Sequence, residues 1–116
     1  MATELPPEHV RTTELPSGTV VVSEFLPHVP SVAVGVWFAT GSRHETAGEA
    51  GLTHFLEHLL FKGTARRTAR GIAEELDAVG GALDAATGRE TLALYARVLP
   101  EHLPMAADVL CDMTLH

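Results

Sequence analysis

Two histidines and one glutamate in residues 54–58 have the types and spacing of a metal-dependent hydrolytic site. The segment is His-Phe-Leu-Glu-His, so the histidines stand four residues apart and Glu57 directly precedes the second. At about 100° per residue of helix, all three side chains fall on one face. Imidazoles at positions i and i+4 can bind one tetrahedral Zn²⁺, and a helix holds them in place at little further entropy cost. The spacing therefore predicts that His54 and His58 are zinc ligands.

Glu57 can supply the proton acceptor that zinc-dependent hydrolysis requires in addition to the metal ligands. Zinc lowers the pKa of a bound water to about 7, and a neighbouring carboxylate can accept its proton during attack on an amide carbonyl. Because the glutamate precedes the second histidine, the motif is the inverted form, H-x-x-E-H. We predict that Glu57 is the catalytic base. The alternative is a helix that carries two solvated histidines and a surface glutamate, since a motif this short also arises by chance.

The segment that carries the motif is predicted to be an amphipathic helix. It lacks Gly and Pro from residue 52 to 61 and stops before Lys62-Gly63. The side opposite the polar trio is wholly apolar, so we expect it to be buried against the protein. That side carries Leu52, Phe55, Leu56, Leu59 and Leu60.

The rest of the chain alternates between strand and helix patterns. Turn residues and β-branched runs predict hairpins, and apolar residues at helical spacing predict helices. Residues 31–39 are apolar on both faces, which is typical of a central strand covered on each side. This order predicts an α+β fold, a mostly antiparallel sheet with helices packed on it. The predicted elements are strands at 10–15, 19–25, 31–39, 82–87 and 90–99, and helices at 52–61, 72–79 and 103–114.

Composition excludes several classes of protein. Eight Lys and Arg against 15 Asp and Glu give a net charge of −7 in 116 residues, which opposes a nucleic-acid partner. No apolar run approaches the roughly 20 residues that span a bilayer, so we expect no membrane partner. Cys111 is the single cysteine, which rules out an internal disulfide and makes the cytoplasm the expected compartment. Arg66, Arg67 and Arg70 are interpreted as a solvated cluster at a helix start.

The segments at 41–45, 51–64 and 80–87, which include the His-Phe-Leu-Glu-His motif, resemble the pitrilysin/insulinase-type zinc metallopeptidases, which include mitochondrial processing peptidase and related bacterial proteases. The likeness rests on Gly-Ser-Arg-His-Glu at 41–45 and on Gly-Leu-Thr-His-Phe-Leu-Glu-His-Leu-Leu-Phe-Lys-Gly-Thr at 51–64. It continues through Gly-Gly-Ala-Leu-Asp-Ala-Ala-Thr at 80–87, Arg-Glu-Thr at 89–91, Tyr95 and the helical stretch at 99–113, and so covers nearly the whole chain in order. The resemblance implies a zinc-dependent endopeptidase that cleaves unfolded or presequence-like polypeptides, with His54 and His58 as ligands and Glu57 as the base.

The resemblance also implies substrate contacts and a missing ligand. The family segment that contacts the substrate backbone corresponds to Asp84-Ala85-Ala86, where Asp84 departs from the usual Asn and Ala86 from the usual aromatic residue. An ionised Asp84 cannot donate to a carbonyl, and its alternative role is that of a surface carboxylate at a strand edge. The family's third ligand, a Glu, comes from a later helix that has no counterpart here. We therefore expect residues 1–116 to be a single N-terminal peptidase domain, truncated before that ligand and inactive or weak alone. Downstream domains or a homologous subunit would be its partners.

Two alternatives remain open at this point. The chain could be a non-catalytic partner subunit of such a protease, although a scaffold needs none of the three motif residues. It could also be another zinc hydrolase with the inverted motif that acts on a small molecule. If the chain alone were active, His44, Glu45 and Asp84 would be the first residues to test as missing ligands.

Overall fold

The structure is a computed structural model that describes residues 9–116. Every predicted strand and helix is present, and the α+β class is confirmed. None of the helices within residues 9–116 is long and apolar enough to cross a membrane. The strands are β1 (Val10–Glu14), β2 (Val20–Glu24), β3 (Val32–Phe38), β4 (Ala82–Thr87) and β5 (Leu92–Val98), and the helices are α1 (Leu52–Leu60), α2 (Ala69–Ala78) and α3 (Leu103–Leu115).

The strands form two antiparallel sheets. β1 and β2 make a separate hairpin, and the three-stranded sheet has the order β3-β5-β4. β5 is therefore the central strand, and its side chains are mostly buried. The prediction that the 31–39 strand is central was wrong for the sheet that residues 9–116 form, because β3 lies at its edge and one of its faces is open. Trp37 on that face is 64% exposed, and its ring lies across Gly35, where a Cβ atom would be 2.6 Å from the indole.

The hydrophobic core lies between one face of this sheet and helices α2 and α3. The alternating residues of β5 point into it because successive strand side chains face opposite sides. The most buried members are Ile72, Leu76, Leu94, Ala96, Val98, Ala106, Val109, Leu110 and Met113.

Helix α1 does not bury the side that the sequence predicted. It packs through one edge of its polar side, with buried Thr53 and half-buried Glu57, while the two motif histidines are exposed. Of its apolar side, predicted to be buried, Leu60 packs against the core, yet Leu52, Leu56 and Leu59 are 43–44% exposed and Phe55 is 59% exposed. Periodicity shows that a helix has two faces, but not which face meets its neighbours.

Arg67 joins the segment after α1 to helices α2 and α3. Its guanidinium reaches Glu75 Oε1 at 2.8 Å, Asp108 Oδ2 at 2.6 Å and Asp112 Oδ2 at 2.8 Å. Asp112 is 1% exposed and also accepts a hydrogen bond from Thr64 Oγ1 at 2.8 Å. The hydrogen bonds from Arg67 lower the pKa of both aspartates below their ordinary values. The interpretation of this arginine as solvated was wrong, since its side chain is only 12% exposed.

We expect Arg67→Met to destabilise the protein by roughly 3 kcal/mol, because it leaves the buried carboxylate of Asp112 without its cation. Arg70→Met is the matched control. Within residues 9–116, Arg70 is 88% exposed and pairs only with Glu74, so its loss should cost at most about 0.5 kcal/mol. Urea unfolding, monitored by circular dichroism, measures the free energy of unfolding of both variants. Equal losses of stability would contradict the role assigned to Arg67.

The stabilisation from Arg67 should also depend on pH. Because Asp108 and Asp112 have lowered pKa values in the folded state, their contribution is complete above the ordinary aspartate pKa of about 3.9. It is lost as the pH falls through the folded-state values. The difference in the free energy of unfolding between wild type and Arg67→Met should therefore shrink as the pH falls through these values.

Candidate metal centre

Helix α1 brings the two motif histidines together on one side. It starts after Gly51, whose φ of 86° is a left-handed conformation that glycine adopts without strain, and its last residue is Leu60. The Nε2 atoms of His54 and His58 lie 3.2 Å apart, and both rings are exposed to solvent. Ligand atoms of His54, Glu57 and His58 all lie within 4.8 Å of one another. Within residues 9–116 this is the one such group of three or more histidine, cysteine or acidic side chains.

The two histidines fit a zinc ion. Two nitrogens bound to one tetrahedral zinc at about 2.1 Å are about 3.4 Å apart, which is close to the observed separation of the two Nε2 atoms. The two rings lie edge to face on one side of the helix, with centroids 4.7 Å apart, so their Nε2 atoms approach each other directly. The arrangement is that of a chelate held by one turn of helix.

Glu57 is held from the sheet. Thr87 at the end of β4 donates a hydrogen bond from Oγ1 to Glu57 Oε2 at 2.7 Å. Glu57 is half-buried, whereas both histidines are exposed. The sequence analysis gave Thr87 no role, because a contact across 30 residues follows from the packing of α1 on β4 and from no local pattern.

Glu45 lies at the start of α1 and not among the metal-binding atoms. Its Oε1 accepts from the Gly51 N–H at 2.9 Å and its Oε2 from the Thr53 N–H at 3.2 Å. These two hydrogen bonds lower the pKa of the Glu45 carboxyl. His44, the neighbouring residue considered as a missing ligand, accepts from the Gly41 N–H through Nδ1. Neither residue joins the cluster of His54, Glu57 and His58.

Asp84 and Ala85 lie on β4, at a free edge of the three-stranded sheet as described over residues 9–116. Gly88 N donates to Thr91 O at 2.8 Å, and the alternation of an antiparallel ladder then turns the N–H and C=O of Ala85 away from β5. Asp84 Oδ1 accepts from this Ala85 N–H at 2.8 Å. The two residues are 26 to 31 positions from the motif residues, yet their strand ends at Thr87, which contacts Glu57.

An open hollow of about 330 Å³ lies beside His54. It is formed where the loop after β3, the first turn of α1 and the turn between β4 and β5 meet. Both polar and apolar atoms line the hollow. The lining residues are Ser42, Glu45, Gly51, Thr53, His54, Thr87, Gly88 and Arg89.

Comparison with known proteins gives matches over most of the chain. A zinc protease of Streptomyces coelicolor is 53% identical over 104 residues, which are 90% of this chain and 23% of that protein. The mitochondrial-processing peptidase subunit beta of Saccharomyces cerevisiae is 43% identical over 103 residues, 89% of this chain and 22% of its own. The crystal structure of a protease from Helicobacter pylori matches with a TM-score of 0.85 and 27% identity, over 90% of this chain and 25% of that one.

The chain thus spans about a quarter of the length of the relatives that it matches. The sequence profile of the insulinase family, peptidase family M16, matches residues 20–116. That range holds the His-Glu-His cluster, the strand that supports it and all three helices. On these grounds the chain belongs to the insulinase family, peptidase family M16.

Proposed function

We propose that this chain is the N-terminal part of a zinc-dependent metalloendopeptidase that hydrolyses peptide bonds in unfolded or presequence-like polypeptides. The observation that carries the proposal is the convergence of His54, Glu57 and His58 ligand atoms within 4.8 Å on one helix. Relatives named as zinc proteases support it. A protein that served only as a scaffold would have no use for this convergence.

The roles of the residues follow from their geometry. His54 and His58 would hold zinc, which when bound acts as a Lewis acid and makes water a nucleophile near neutral pH. Glu57 accepts the proton of the attacking water and passes it to the leaving amine nitrogen. The hydrogen bond from Thr87 reaches Oε2 and leaves Oε1 for this transfer. Thr87 thereby fixes the direction of the carboxylate before substrate arrives.

The free edge of β4 suits an extended peptide. A substrate strand that adds to this edge would exchange backbone hydrogen bonds with Ala85, and Asp84 would give up the Ala85 N–H or accept from a peptide N–H. Because β4 ends at the Thr87 contact, a peptide along this edge runs past Glu57. A peptide must be extended to pair with this edge, and a segment inside a folded domain is not free to extend. This favours unfolded substrates.

The substrate contact predicts a selective effect of proline at residue 85. Ala85→Pro removes an N–H that is not bonded to β5, so the strand should survive while kcat/KM falls about five- to tenfold, the worth of one hydrogen bond. Ala85→Ser keeps the N–H and is the control. Equal kcat/KM for the two variants in a peptide assay would contradict pairing at this edge.

The exposed side of α1 points to a partner within the same protein. Leu52, Phe55, Leu56 and Leu59 form an apolar strip that the described residues leave open. The matched relatives are about four times as long as the aligned segment. We propose that downstream domains, or a homologous subunit, cover this strip, and that a later helix supplies a glutamate as the third zinc ligand.

The experiment that tests the proposed function compares two proteins. The full-length protein should cleave a fluorogenic peptide of about ten residues, lose activity with a chelator and regain it with zinc. Residues 1–116 alone should show no significant cleavage, because a catalytic zinc normally needs three protein ligands and an enclosed site. Chelator-resistant cleavage by the full-length protein would contradict the proposal.

A further inference from the structure

The first turn of α1 lacks a capping group of its own. The residue before the helix is Gly51, which has no side chain to accept from the free N–H groups of the first turn. Glu45 supplies the missing acceptors from six residues upstream, one oxygen to Gly51 N and the other to Thr53 N. A carboxylate here also meets the positive end of the helix dipole. The hydrogen bonds from Gly51 N and Thr53 N lower the pKa of Glu45.

The loop that carries Glu45 is itself fixed to the sheet. Ser42 N donates to Gly88 O at 3.1 Å and Arg43 N donates to Arg89 O at 2.8 Å. A Cβ atom at Gly41 would lie 2.5 Å from the backbone of residues 88 and 89, so only glycine permits this approach. Glu45 therefore reaches α1 from a loop that is hydrogen-bonded to the turn after Thr87. The Glu45 cap of α1 and the Thr87 contact to Glu57 are thus both supported by the β4–β5 hairpin.

The two histidines depend on this cap to different degrees. His54 is the third helical residue and directly follows Thr53, whose N–H is bound by Glu45. His58 lies in the last turn of the helix, one full turn further on. If the first turn frays, His54 moves while His58 stays, and the 3.2 Å approach of their Nε2 atoms is lost.

We propose that Glu45 is a positioning residue for zinc binding, which fixes His54 against His58 by capping α1. The inference rests on the proposed function, because it concerns the same metal centre. Glu45 is not a ligand in this account, since both of its oxygens are taken by backbone N–H groups and the convergent cluster contains only His54, Glu57 and His58.

Zinc affinity of the full-length protein, measured by competition with a chromophoric chelator, tests this inference. Glu45→Ala should raise the zinc Kd at least about tenfold, as loss of a supporting contact does in other metal sites, with one zinc still bound at saturation. Glu45→Gln keeps an acceptor oxygen and should restore part of the affinity. Glu49→Ala is the control, because Glu49 caps only the short turn at Thr46.

Each result decides the matter. Equal zinc Kd values for Glu45→Ala and Glu49→Ala would overturn the positioning role. Failure of Glu45→Gln to bind zinc at saturation would make Glu45 a ligand and would also overturn it. The urea midpoint of the metal-free variants separates a local effect, which leaves the midpoint near that of Glu49→Ala, from general unfolding, which would contradict the inference. A wild-type protein without zinc would overturn the proposed function first, and this inference with it.

Discussion

Glu57→Gln is expected to lower peptide hydrolysis by the full-length protein at least about 100-fold while zinc content stays near one per chain. The amide is nearly the same size as the carboxylate and can still accept from Thr87, so the helix should not move. It cannot take up a proton at neutral pH, so the attacking water loses its base. The expected change is therefore in kcat, with KM little altered.

Glu49→Gln is the control for Glu57→Gln, because Glu49 is exposed and away from the cluster. Its turnover should match that of wild type. Near-wild-type turnover by Glu57→Gln would show that another group carries the proton. Loss of zinc from Glu57→Gln would instead make Glu57 a ligand.

His58→Ala is expected to leave less than about 0.1 zinc per chain after dialysis and to abolish chelator-sensitive hydrolysis. The chelate needs both Nε2 atoms, which lie 3.2 Å apart. Without His58, helix α1 offers only His54 as a histidine ligand. The circular dichroism spectrum should be unchanged, because His58 is exposed and alanine favours helix. Elemental analysis measures the metal directly.

His102→Ala serves as the matched control for His58→Ala, since His102 lies at the start of α3 and outside the cluster. It should retain zinc and activity. A His58→Ala protein that kept its zinc would contradict the site assignment, whatever its activity.

The local structure of the site was predictable from the sequence. The helix predicted at 52–61 is observed at Leu52–Leu60, because an unbroken apolar pattern and the following Lys-Gly define it locally. The same holds for the hairpin that places β4, whose turn residues are local signals. The inverted motif put its three side chains on one helix face, and the structure brings their ligand atoms together.

The supports of the site were not predictable in this way. Thr87 meets Glu57 across 30 residues, and Glu45 caps a helix that starts seven positions later, so both contacts depend on tertiary packing. The burial of Arg67 has the same origin, since its partners lie on two other helices. Trp37 lies on the strand that was predicted to be covered on each side, yet the open face of the sheet leaves it exposed.

The central claim is that one zinc ion binds between His54 and His58, and anomalous X-ray scattering at the zinc edge from crystals of the full-length protein tests it most directly. The account predicts one anomalous peak per chain at about 2.1 Å from the Nε2 atoms of both histidines, with Glu57 beside it and not bound to it. Fully occupied zinc elsewhere in the protein, with no peak at these two histidines, would contradict it.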